Sequence, residues 1–411
     1  MSEAVKTGDG NDGTRQHAAL TDDGARLHGD LADIGAARWN ALVHASTGRL
    51  HPALRYEYLD AFHASGSASR ATGWEPGYLT LWRGDALVAA APLYKKFHSW
   101  GEYVFDWAWA EAYERNGLRY YPKLLVAIPF TPVGAPKLLA VDAEARTALA
   151  RALLHHAVRS GLSSLHVLFT DAEETALLDN AGLMVRRNVQ FHWHNPGWAG
   201  FDDYLASLAQ PKRKKIRAER RQVAAAGVTF EKLTGADITP EHWKFFHRCY
   251  SNTYFEHNSR PYLNIGFFER LGATMGEQVL LVIGSRNGRP VAAALNLFDA
   301  DSLYGRYWGA LEHIPCMHFE ACYYQAIEFC IDHGIRHFEG GAQGEHKLAR
   351  GFLPMEMRSA HWLGERNFAD AVERYLERES QGIERYIDEL EAHTPFRAEG
   401  GDDRPAADAS P

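Results

Sequence analysis

The chain has 411 residues, a hydrophobic content of 46% and a net charge of −8. This length allows two or three domains, and the mild acidity excludes a protein whose whole surface binds nucleic acid, although a local basic site is still allowed. Four cysteines without a CxxC pair disfavour a zinc ribbon or a disulfide framework and predict reduced thiols in the cytosol. No apolar run reaches the roughly 18–20 residues of a membrane helix and no signal segment is evident, so we expect a cytoplasmic protein.

The first half of the chain alternates predicted helices and strands. Residues 1–30 and the tail 397–411 have little apolar content and are predicted to be disordered. HPALRYEYLDAFHASG predicts a helix that ends at Gly66, and GYLTLWRGDALVAAAPLYKKF predicts two strands joined by a tight Arg-Gly-Asp turn. An aromatic, irregular segment covers residues 100–135. A helix over residues 143–160 and a buried strand, LSSLHVLFTD, follow.

The second half begins after a boundary near residues 195–211. PKRKKIRAERRQVAAAG predicts a basic helix that stops at Gly227, and TPEHWKFFHRCYSNTYFEH predicts another helix. Three strands joined by Asn-Gly and Asp-Ala-Asp turns come next. Residues 304–351 are interpreted as strand, polar turn, helix, strand and Gly-rich turn. Apolar spacing over residues 368–390 predicts one closing helix, or two helices broken at Gly382.

An internal repeat is indicated by two recurring patterns. The sequence VAAA occurs at residues 88–91 and again at 291–294, each time after a strand and a tight turn. A helix–Gly–strand order recurs around Gly161 and Gly334. The spacings match if residues 100–135 are an insertion in the first copy. Because β-hairpins followed by a helix and a strand are common, chance is the alternative, but the preserved order favours duplication.

The predicted fold class is α+β, with two tandem units that are each a mixed, mostly antiparallel sheet covered by helices. We expect the first unit at residues 31–200 and the second at 201–396. Two such units commonly leave a cleft where they meet, and a cleft is a preferred place for a ligand.

Five segments stand out as a group. They are GEYVFDWAWAEAYERNGLRYYPKL (101–124), KRKKIRAERR (212–221), LYGRYWG (303–309), HFEACYYQAIEF (318–329) and FEGGAQGEHKLARGF (338–352). Together they resemble the acetyltransferase fold of the GCN5-related superfamily, in tandem. The resemblance is closer to the bacterial predicted N-acyltransferases grouped under peptidoglycan biosynthesis or recognition, distant relatives of the Fem-type aminoacyl-tRNA-dependent transferases. It covers roughly residues 35–396.

This resemblance implies an N-acyltransferase that works without metal and without a bound cofactor. The acyl or aminoacyl group would come from acyl-coenzyme A or aminoacyl-tRNA as co-substrate and pass to an amine. The implied acceptor is a small molecule or a cell-wall precursor. The alternative function is a non-catalytic module that binds cell-wall or polysaccharide precursors.

Candidate catalytic residues lie around the Gly-rich turn. Acyl transfer to an amine needs a base for the ammonium proton and a donor to the developing oxyanion. Lys347 follows the turn GGAQGEHK and matches a lysine that has the oxyanion or phosphate role in Fem-type enzymes; the alternative is a surface lysine beside a flexible loop. Glu339 ends the preceding strand and is the candidate base or amine ligand, or else a carboxylate in a salt bridge at the edge. The superfamily resemblance assigns leaving-group protonation to a tyrosine, here Tyr304 or Tyr307, although core packing is the alternative.

Candidate binding residues form two further groups. Basic side chains suited to the phosphates of a donor are Arg350, Lys212, Arg213, Arg217 and Arg220. Aromatic and acidic side chains suited to an acceptor that bears sugars or amines are Asp106, Trp107, Trp109 and Glu111. The alternatives are a solvated basic helix for the first group and a buried aromatic cap between the units for the second. Strand alternation also predicts Tyr304 and Arg306 on one face of their strand and Tyr307 on the other.

Overall fold

The computed structural model describes residues 24–342 and 344–397. The strands are β1 (Ala25–His28), β2 (Trp74–Arg83), β3 (Ala86–Lys96), β4 (Lys123–Val126), β5 (Leu139–Ala140), β6 (Ser164–Thr170), β7 (Met184–His194), β8 (Val228–Thr234), β9 (Val279–Arg286), β10 (Arg289–Phe298), β11 (Ser302–Ala310), β12 (His337–Glu339) and β13 (Leu353–Leu363). The helices are α1 (Ala36–Thr47), α2 (Tyr56–Ala64), α3 (Trp107–Arg115), α4 (Ala143–Ser160), α5 (Ala172–Asn180), α6 (Phe201–Ser207), α7 (Gln210–Ala225), α8 (Pro240–Glu256), α9 (Ile265–Met275), α10 (Met317–Phe319), α11 (Gln325–Asp332) and α12 (Arg366–Ala392). A π-helix, Glu320–Tyr324, joins α10 to α11, and a 3-10 turn, Glu345–Arg350, precedes β13.

Strand β1 corrects one predicted boundary. Disorder was expected over residues 1–30, but Ala25–His28 pairs antiparallel with β2. The expected disorder of residues 1–23 and 398–411 falls outside the described residues. The closing helix α12 runs without a break past Gly382, which decides between the two sequence-based alternatives.

All strands belong to one mixed sheet. Its order is β1-β2-β3-β4-β6-β13-β7-β12-β11-β10-β9-β8, and β5 pairs with β3 at the side. With helices packed on both faces, this is the α+β architecture that the sequence predicted.

The repeat has a structural counterpart in each unit. Strands β2, β3 and β4, helix α4 and strand β6 follow the same order as β9, β10, β11, α11 and β12. In both copies the last strand pairs parallel with the third, β6 with β4 and β12 with β11. The extra segment in the first copy lies at residues 97–122, since residues 123–126 are already a strand of the repeat. The predicted insertion over 100–135 therefore extends too far.

The two units exchange strands at their junction. Strand β7, which follows α5 in the first unit, pairs with β12 of the second unit. Strand β13, near the end of the chain, pairs with β6 of the first unit and also with β7. A division of the chain near residue 200 is therefore compatible with the order of elements, but it does not divide the sheet into two separate sheets.

A bulge in β11 changes which side chains share a face. Leu295 of β10 faces Tyr307, and the next residue of β10, Asn296, faces Gly305, so Arg306 has no partner in the register. Tyr304 and Tyr307 consequently both enter the core between the units. The predicted alternation, with these tyrosines on opposite faces, is wrong because the extra residue of a bulge shifts the period of two.

Two cores lie on opposite faces of the second half of the sheet. The junction core contains residues of both units, including Phe62, Phe130 and Tyr307. The helix-side core lies beneath the π-helix, α7 and α11, and includes Phe338 and Phe352.

Candidate active site

Strands β11 and β12 separate at the candidate site. They pair in parallel only from Ser302 and His337 to Tyr304 and Glu339. Beyond that point β12 ends, while β11 continues to Ala310. The gap holds a cavity of about 170 Å³. Its lining comes from β10, β11, the segment Met317–Tyr324 and the Gly-rich turn, and comprises Ala294, Leu295, Asn296, Gly305, Arg306, Tyr307, Trp308, His318, Cys322, Tyr323, Gly340 and Gly341.

The Gly-rich turn brings Lys347 to the edge of this gap. Gly341 and Gly344 have positive φ angles of 85° and 113°, which other residues rarely adopt. Lys347 is 1% exposed, and its Nζ donates to the carbonyl oxygen of Gly341 at 2.7 Å. Burial lowers the pKa of Lys347 to about 8, an effect that nearby Cys322 opposes. Lys347 is therefore a buried amine rather than a mobile surface lysine.

Glu339 lies on the other face of the same gap. Its neighbour Phe338 belongs to the helix-side core, so strand alternation turns Glu339 toward the junction core. The Oε2 atom of Glu339 is buried and has no hydrogen-bond partner among the described residues. Burial raises the pKa of Glu339 to about 7, although the backbone N–H of Gly134 and the charge of Lys137 oppose the rise. A carboxyl group with this pKa suits a general base near neutral pH.

The two candidate groups thus approach the gap from opposite faces of the sheet. Lys347 lies on the helix-side face. Its Cδ is close to Gly340, and Phe352 of the helix-side core is close to the same glycine. Glu339 faces the first unit. A substrate that donates a group could bind on one face and a substrate that accepts it on the other. The two substrates could then meet in the gap without competing for space.

The hydroxyl groups of the two predicted catalytic tyrosines are both engaged. Tyr304 is 1% exposed, and its hydroxyl oxygen accepts from Nη2 of Arg49 at 3.0 Å. Tyr307 lines the cavity, but its hydroxyl donates to the carbonyl oxygen of Phe130 at 3.2 Å. Burial raises the pKa of both phenols. Neither hydroxyl is therefore directed freely into the gap.

Sequence reasoning missed a tyrosine–histidine pair at the cavity. The hydroxyl of Tyr323 lies 3.0 Å from Nε2 of His346, and Tyr323 lines the cavity wall. Burial lowers the pKa of His346, so its ring is neutral near pH 7. No sequence signal marked Tyr323, because an aromatic residue at helical spacing usually indicates core packing.

The basic helix α7 borders the helix-side face of the site. Lys212 and Arg213 lie in its first turn, and Arg217 is exposed, 3.7 Å from Asp202. Exposed Lys215 also acts electrostatically on His346, which brings this helix close to the gap.

Arg220 is the exception within α7. It pairs with Glu320 at 3.0 Å and with Glu328 at 2.6 Å, and it stacks on Phe201. Its charge is therefore balanced within the protein, and its predicted role in donor binding is corrected to that of a link to the π-helix.

Arg350 is likewise a structural cation. It is 1% exposed, and its Nη2 donates to both carboxylate oxygens of Glu219 at 2.8 Å. Its Nε donates to the hydroxyl of Tyr324 at 2.9 Å and its Nη1 to the carbonyl of His346 at 2.6 Å. The guanidinium also stacks on Phe319 at 3.5 Å. Arg350 therefore ties the turn that carries Lys347 to α7, and the predicted phosphate contact is corrected.

We expect Arg350→Met to destabilise the protein by about 3–5 kcal/mol, because it leaves the Glu219 carboxylate buried without its cation. Urea unfolding followed by circular dichroism measures this loss. The double variant Arg350→Met with Glu219→Met should lose less than the single variant, since no uncompensated charge remains. Equal losses of unfolding free energy in the single and double variants would contradict the claim that the unpaired Glu219 carboxylate causes the destabilisation.

The predicted acceptor residues do not converge on one site. Asp106 is buried, where its carboxylate accepts from Lys123 and from Tyr120 at 2.5 Å. Burial acts to raise the pKa of Asp106, but the charges of Lys123 and His166, with hydrogen bonds to Lys123 and Ser99, together outweigh it and hold that pKa low. Trp109 is buried against His361 at 5.1 Å.

The other two acceptor candidates are exposed on α3. Trp107 contacts Trp100, with 5.1 Å between ring centroids, and Glu111 pairs with Arg115 one helical turn on. Trp109 packs in a cluster that includes Val372 of α12. For Asp106 and Trp109, the alternative of a buried cap between the units is therefore the better description.

A groove between the two units adjoins the candidate site. One part, about 300 Å³, is lined by Tyr103, Tyr250, Thr253, Tyr254, His257, Ser259, Arg306, Tyr307 and Trp308. The other part, about 680 Å³, is lined by Ser67, Ala71, Thr72, His98, Trp100, Phe130, Asn258, Ser259, Arg260, Pro261 and Tyr262. Ser259 is common to both parts, and Arg306 to Trp308 also line the gap. The groove therefore leads from an apolar surface between the units to the gap.

The fold defines the class of protein: two tandem acetyltransferase-like units that share one sheet. Among solved structures, FemX is similar with a TM-score of 0.52 and 12% identity, covering 85% of this chain and 100% of that chain. The C-terminal domain (DUF2156) of a candidate lysylphosphatidylglycerol synthetase from Agrobacterium fabrum has a TM-score of 0.50 and 10% identity, covering 79% and 96%. A tandem GNAT protein from the clavulanic acid biosynthesis pathway has a TM-score of 0.44 and 13% identity, covering 83% and 99%. At 12% and 10% identity, the first two likenesses establish the fold alone.

Residues 30–398 match the FemAB-like family, described as peptidoglycan biosynthesis/recognition, and the chain belongs to this family. Family and fold together indicate a transferase. No curated protein sequence matches the chain. Between residues 24 and 397, leaving out Gln343, no helix is long and apolar enough to cross a membrane.

Proposed function

We propose that this chain is an N-acyltransferase that moves an acyl or aminoacyl group from a phosphate-bearing donor to an amine of a cell-wall precursor. The observation that carries the proposal is the pair of buried ionisable groups, Lys347 and Glu339, on opposite faces of the gap between β11 and β12. Burial of such groups is costly, and perturbed pairs of this kind concentrate at functional sites.

The chemistry follows from the two groups. Glu339, in its carboxylate form, takes a proton from the acceptor ammonium, and the free amine attacks the carbonyl carbon of the donor. The Lys347 ammonium stabilises the oxyanion of the tetrahedral intermediate, with a larger effect than in water because the site is buried. The bond to the leaving group then breaks. We assign protonation of the leaving thiolate or ribose oxygen to Tyr323, because its hydroxyl meets His346 rather than a backbone carbonyl. The second proton, which the attacking nitrogen loses as the amide forms, replaces the one that Tyr323 gives up, and Glu339 releases the first proton to solvent.

The donor is assigned to the helix-side face. There Lys215 acts electrostatically on His346 at the gap. Lys212, Arg213 and Arg217 lie on the same helix, and this positive charge suits the phosphates of acyl-coenzyme A or of aminoacyl-tRNA. Both donors carry an activated carbonyl, as a thioester or an ester, so the same two catalytic groups serve either.

The acceptor is assigned to the groove between the units. The groove opens onto the face of the sheet that carries Glu339, and its aromatic walls, among them Tyr254, Tyr262 and Trp100, suit an extended substrate. The family description supports a cell-wall precursor as the source of the amine.

A transfer assay with two donor arms tests this proposal. The purified protein is incubated with acetyl-coenzyme A, or with total tRNA charged with labelled amino acids, in the presence of cell-wall peptides that carry a free side-chain amine. Mass spectrometry of the peptides then measures addition of the acyl or aminoacyl group. We expect addition in one arm, and in the tRNA arm we expect it to fall steeply with added salt.

A donor-specific addition that requires Lys347 supports the proposal and identifies the donor. Tight binding of the peptides without addition in either arm overturns it in favour of the non-catalytic binding module.

A further inference from the structure

The loop after β4, in the first unit, forms a wall of the candidate site in the second unit. The carbonyl of Phe130 accepts from the guanidinium of Arg306 and from the hydroxyl of Tyr307. Four residues along, the backbone N–H of Gly134 donates to the carboxylate of Glu339. One loop therefore contacts three side chains at the gap.

A buried lysine fixes the shape of this loop. Lys137 is 0% exposed, and its Nζ donates to the carbonyls of Val133 at 2.8 Å, Ala135 at 2.6 Å and Phe169 at 2.8 Å. Val133 and Ala135 flank Gly134, while Phe169 lies on β6. Three acceptors match the three N–H donors of an ammonium group, whereas a neutral amine has only two. As a charged group, Lys137 thus ties the residues on either side of Gly134 to β6.

The backbone at both ends of this arrangement is unusual. Phe130 and Phe169 have φ angles of 52° and 55°, in the left-handed region that residues other than glycine rarely occupy. Such a conformation persists only where surrounding contacts compensate for it. The carbonyl of Phe130 accepts from Arg306 and Tyr307, and the carbonyl of Phe169 accepts from Lys137.

Charges around Glu339 come from several elements. Burial raises the pKa of Glu339, and the opposing charges are Lys137, Arg306 and Arg49, with the phenol of Tyr304 also facing it.

Charges around Lys137 are also mixed. Burial lowers its pKa, and the carboxylates of Glu174, Glu339 and Asp171 oppose that change. The Glu174 carboxylate accepts from the backbone N–H groups of Lys137 and Leu138. The Lys137 charge therefore acts on Glu174 first and on Glu339 next.

We propose that Lys137 is a positioning residue for the second unit's site: its three hydrogen bonds fix the first unit's loop so that the Gly134 N–H meets Glu339, and they place a positive charge beside that carboxyl group. The proposal rests on the proposed role of Glu339 as base. It gives the first unit a direct part in the chemistry, although the first unit's own sequence lacks the Gly-rich turn and lysine of the second.

Selective ¹³C labelling of glutamate carboxyl carbons tests the proposal without any substrate. The spectrum of Glu339→Gln identifies the Glu339 resonance, and its titration is then followed in the wild type and in Lys137→Met. We expect the titration midpoint of Glu339 to rise by about one pH unit or more in Lys137→Met, because removal of one nearby opposite charge changes a pKa by about that amount. Lys137→Arg, which keeps the charge, should shift it less.

The matched control is Lys96→Met. Lys96 is also 0% exposed and belongs to the same unit, but its charged neighbours are Glu102, Lys123 and Asp106. This variant should leave the Glu339 titration unchanged. If Lys137→Met does not fold, Lys137→Gln replaces it, because an amide retains donors for the loop carbonyls while removing the charge.

An unchanged midpoint in a folded Lys137 variant overturns the proposal, as does an equal shift in Lys96→Met. Once a donor is known, the acid limb of kcat/KM should move by the same amount as the resonance. A shifted resonance in a protein that transfers no acyl group would contradict the proposed function while leaving the link between Lys137 and Glu339 intact.

Discussion

Lys347→Met is expected to reduce turnover by about 10²–10³-fold, the usual loss when one donor to an oxyanion is removed. Among the described residues, the Lys347 amine has one hydrogen bond, to Gly341, and it lies in a buried position where its ionisation is costly. Methionine fills a similar volume without that charge. We therefore expect the variant to retain or exceed the wild-type melting temperature, since a catalytic group of this kind is maintained at the expense of stability.

The control for this substitution is Lys244→Met on α8, where the lysine is exposed and its nearest acid is Glu241 at 3.8 Å. It should leave turnover unchanged. A folded Lys347→Met protein with full activity would exclude Lys347 from the mechanism, and a variant that unfolds would instead assign it a structural role.

Glu339→Gln is expected to remove the rise of kcat/KM with pH that we predict for the wild type around pH 7. A base must be ionised, and the pKa of Glu339 is about 7, so wild-type activity increases as the pH rises through that value. Glutamine keeps the size and the contact with Gly134 but accepts no proton. We expect a loss of about 10²–10⁴-fold at pH 7.5 and a profile without the acid limb, in which only the fall above about pH 8 from deprotonation of Lys347 remains; initial rates between pH 5.5 and 9 measure both limbs.

Glu339→Gln, which is expected to lower activity, is expected to raise the stability of the folded state above neutral pH. The folded-state pKa of Glu339 lies above its ordinary value of 4.5. The native state therefore holds a proton that the unfolded state releases between those values, and the wild type loses stability as the pH rises from about 4.5 to about 7. Glu339→Gln should be more stable than the wild type by about 3 kcal/mol at pH 8 and equal to it at pH 4. A variant that is destabilised at both values would mean that Glu339 serves the fold and not the reaction.

Several features of the site could be predicted from the sequence because they depend on local pattern. The glycines before Lys347 mark a turn after a strand, and Gly341 and Gly344 have the positive φ angles that such a turn uses. The repeated VAAA strands and the helix–Gly–strand order predicted two similar units, and both orders are present in the sheet.

Other features depend on contacts that no local pattern records. Arg350 and Lys347 are three residues apart in the same basic turn, yet Arg350 is neutralised by Glu219 of a distant helix. Tyr304 and Tyr307 share a face only because Arg306 is a bulge opposite β10. Lys137 gave no sequence signal, since its three acceptors are backbone carbonyls.

The sequence by itself determined the α+β class, the tandem repeat and the position of Lys347 after a Gly-rich turn. Periodicity and turn chemistry are properties of neighbouring residues, so they can be recognised along the chain. Only the tertiary structure decided that β7 and β13 are exchanged between the units and that a loop of the first unit surrounds Glu339 of the second. Strand partners and the burial of a charge depend on which distant segments meet, and side-chain spacing within one segment carries no record of that.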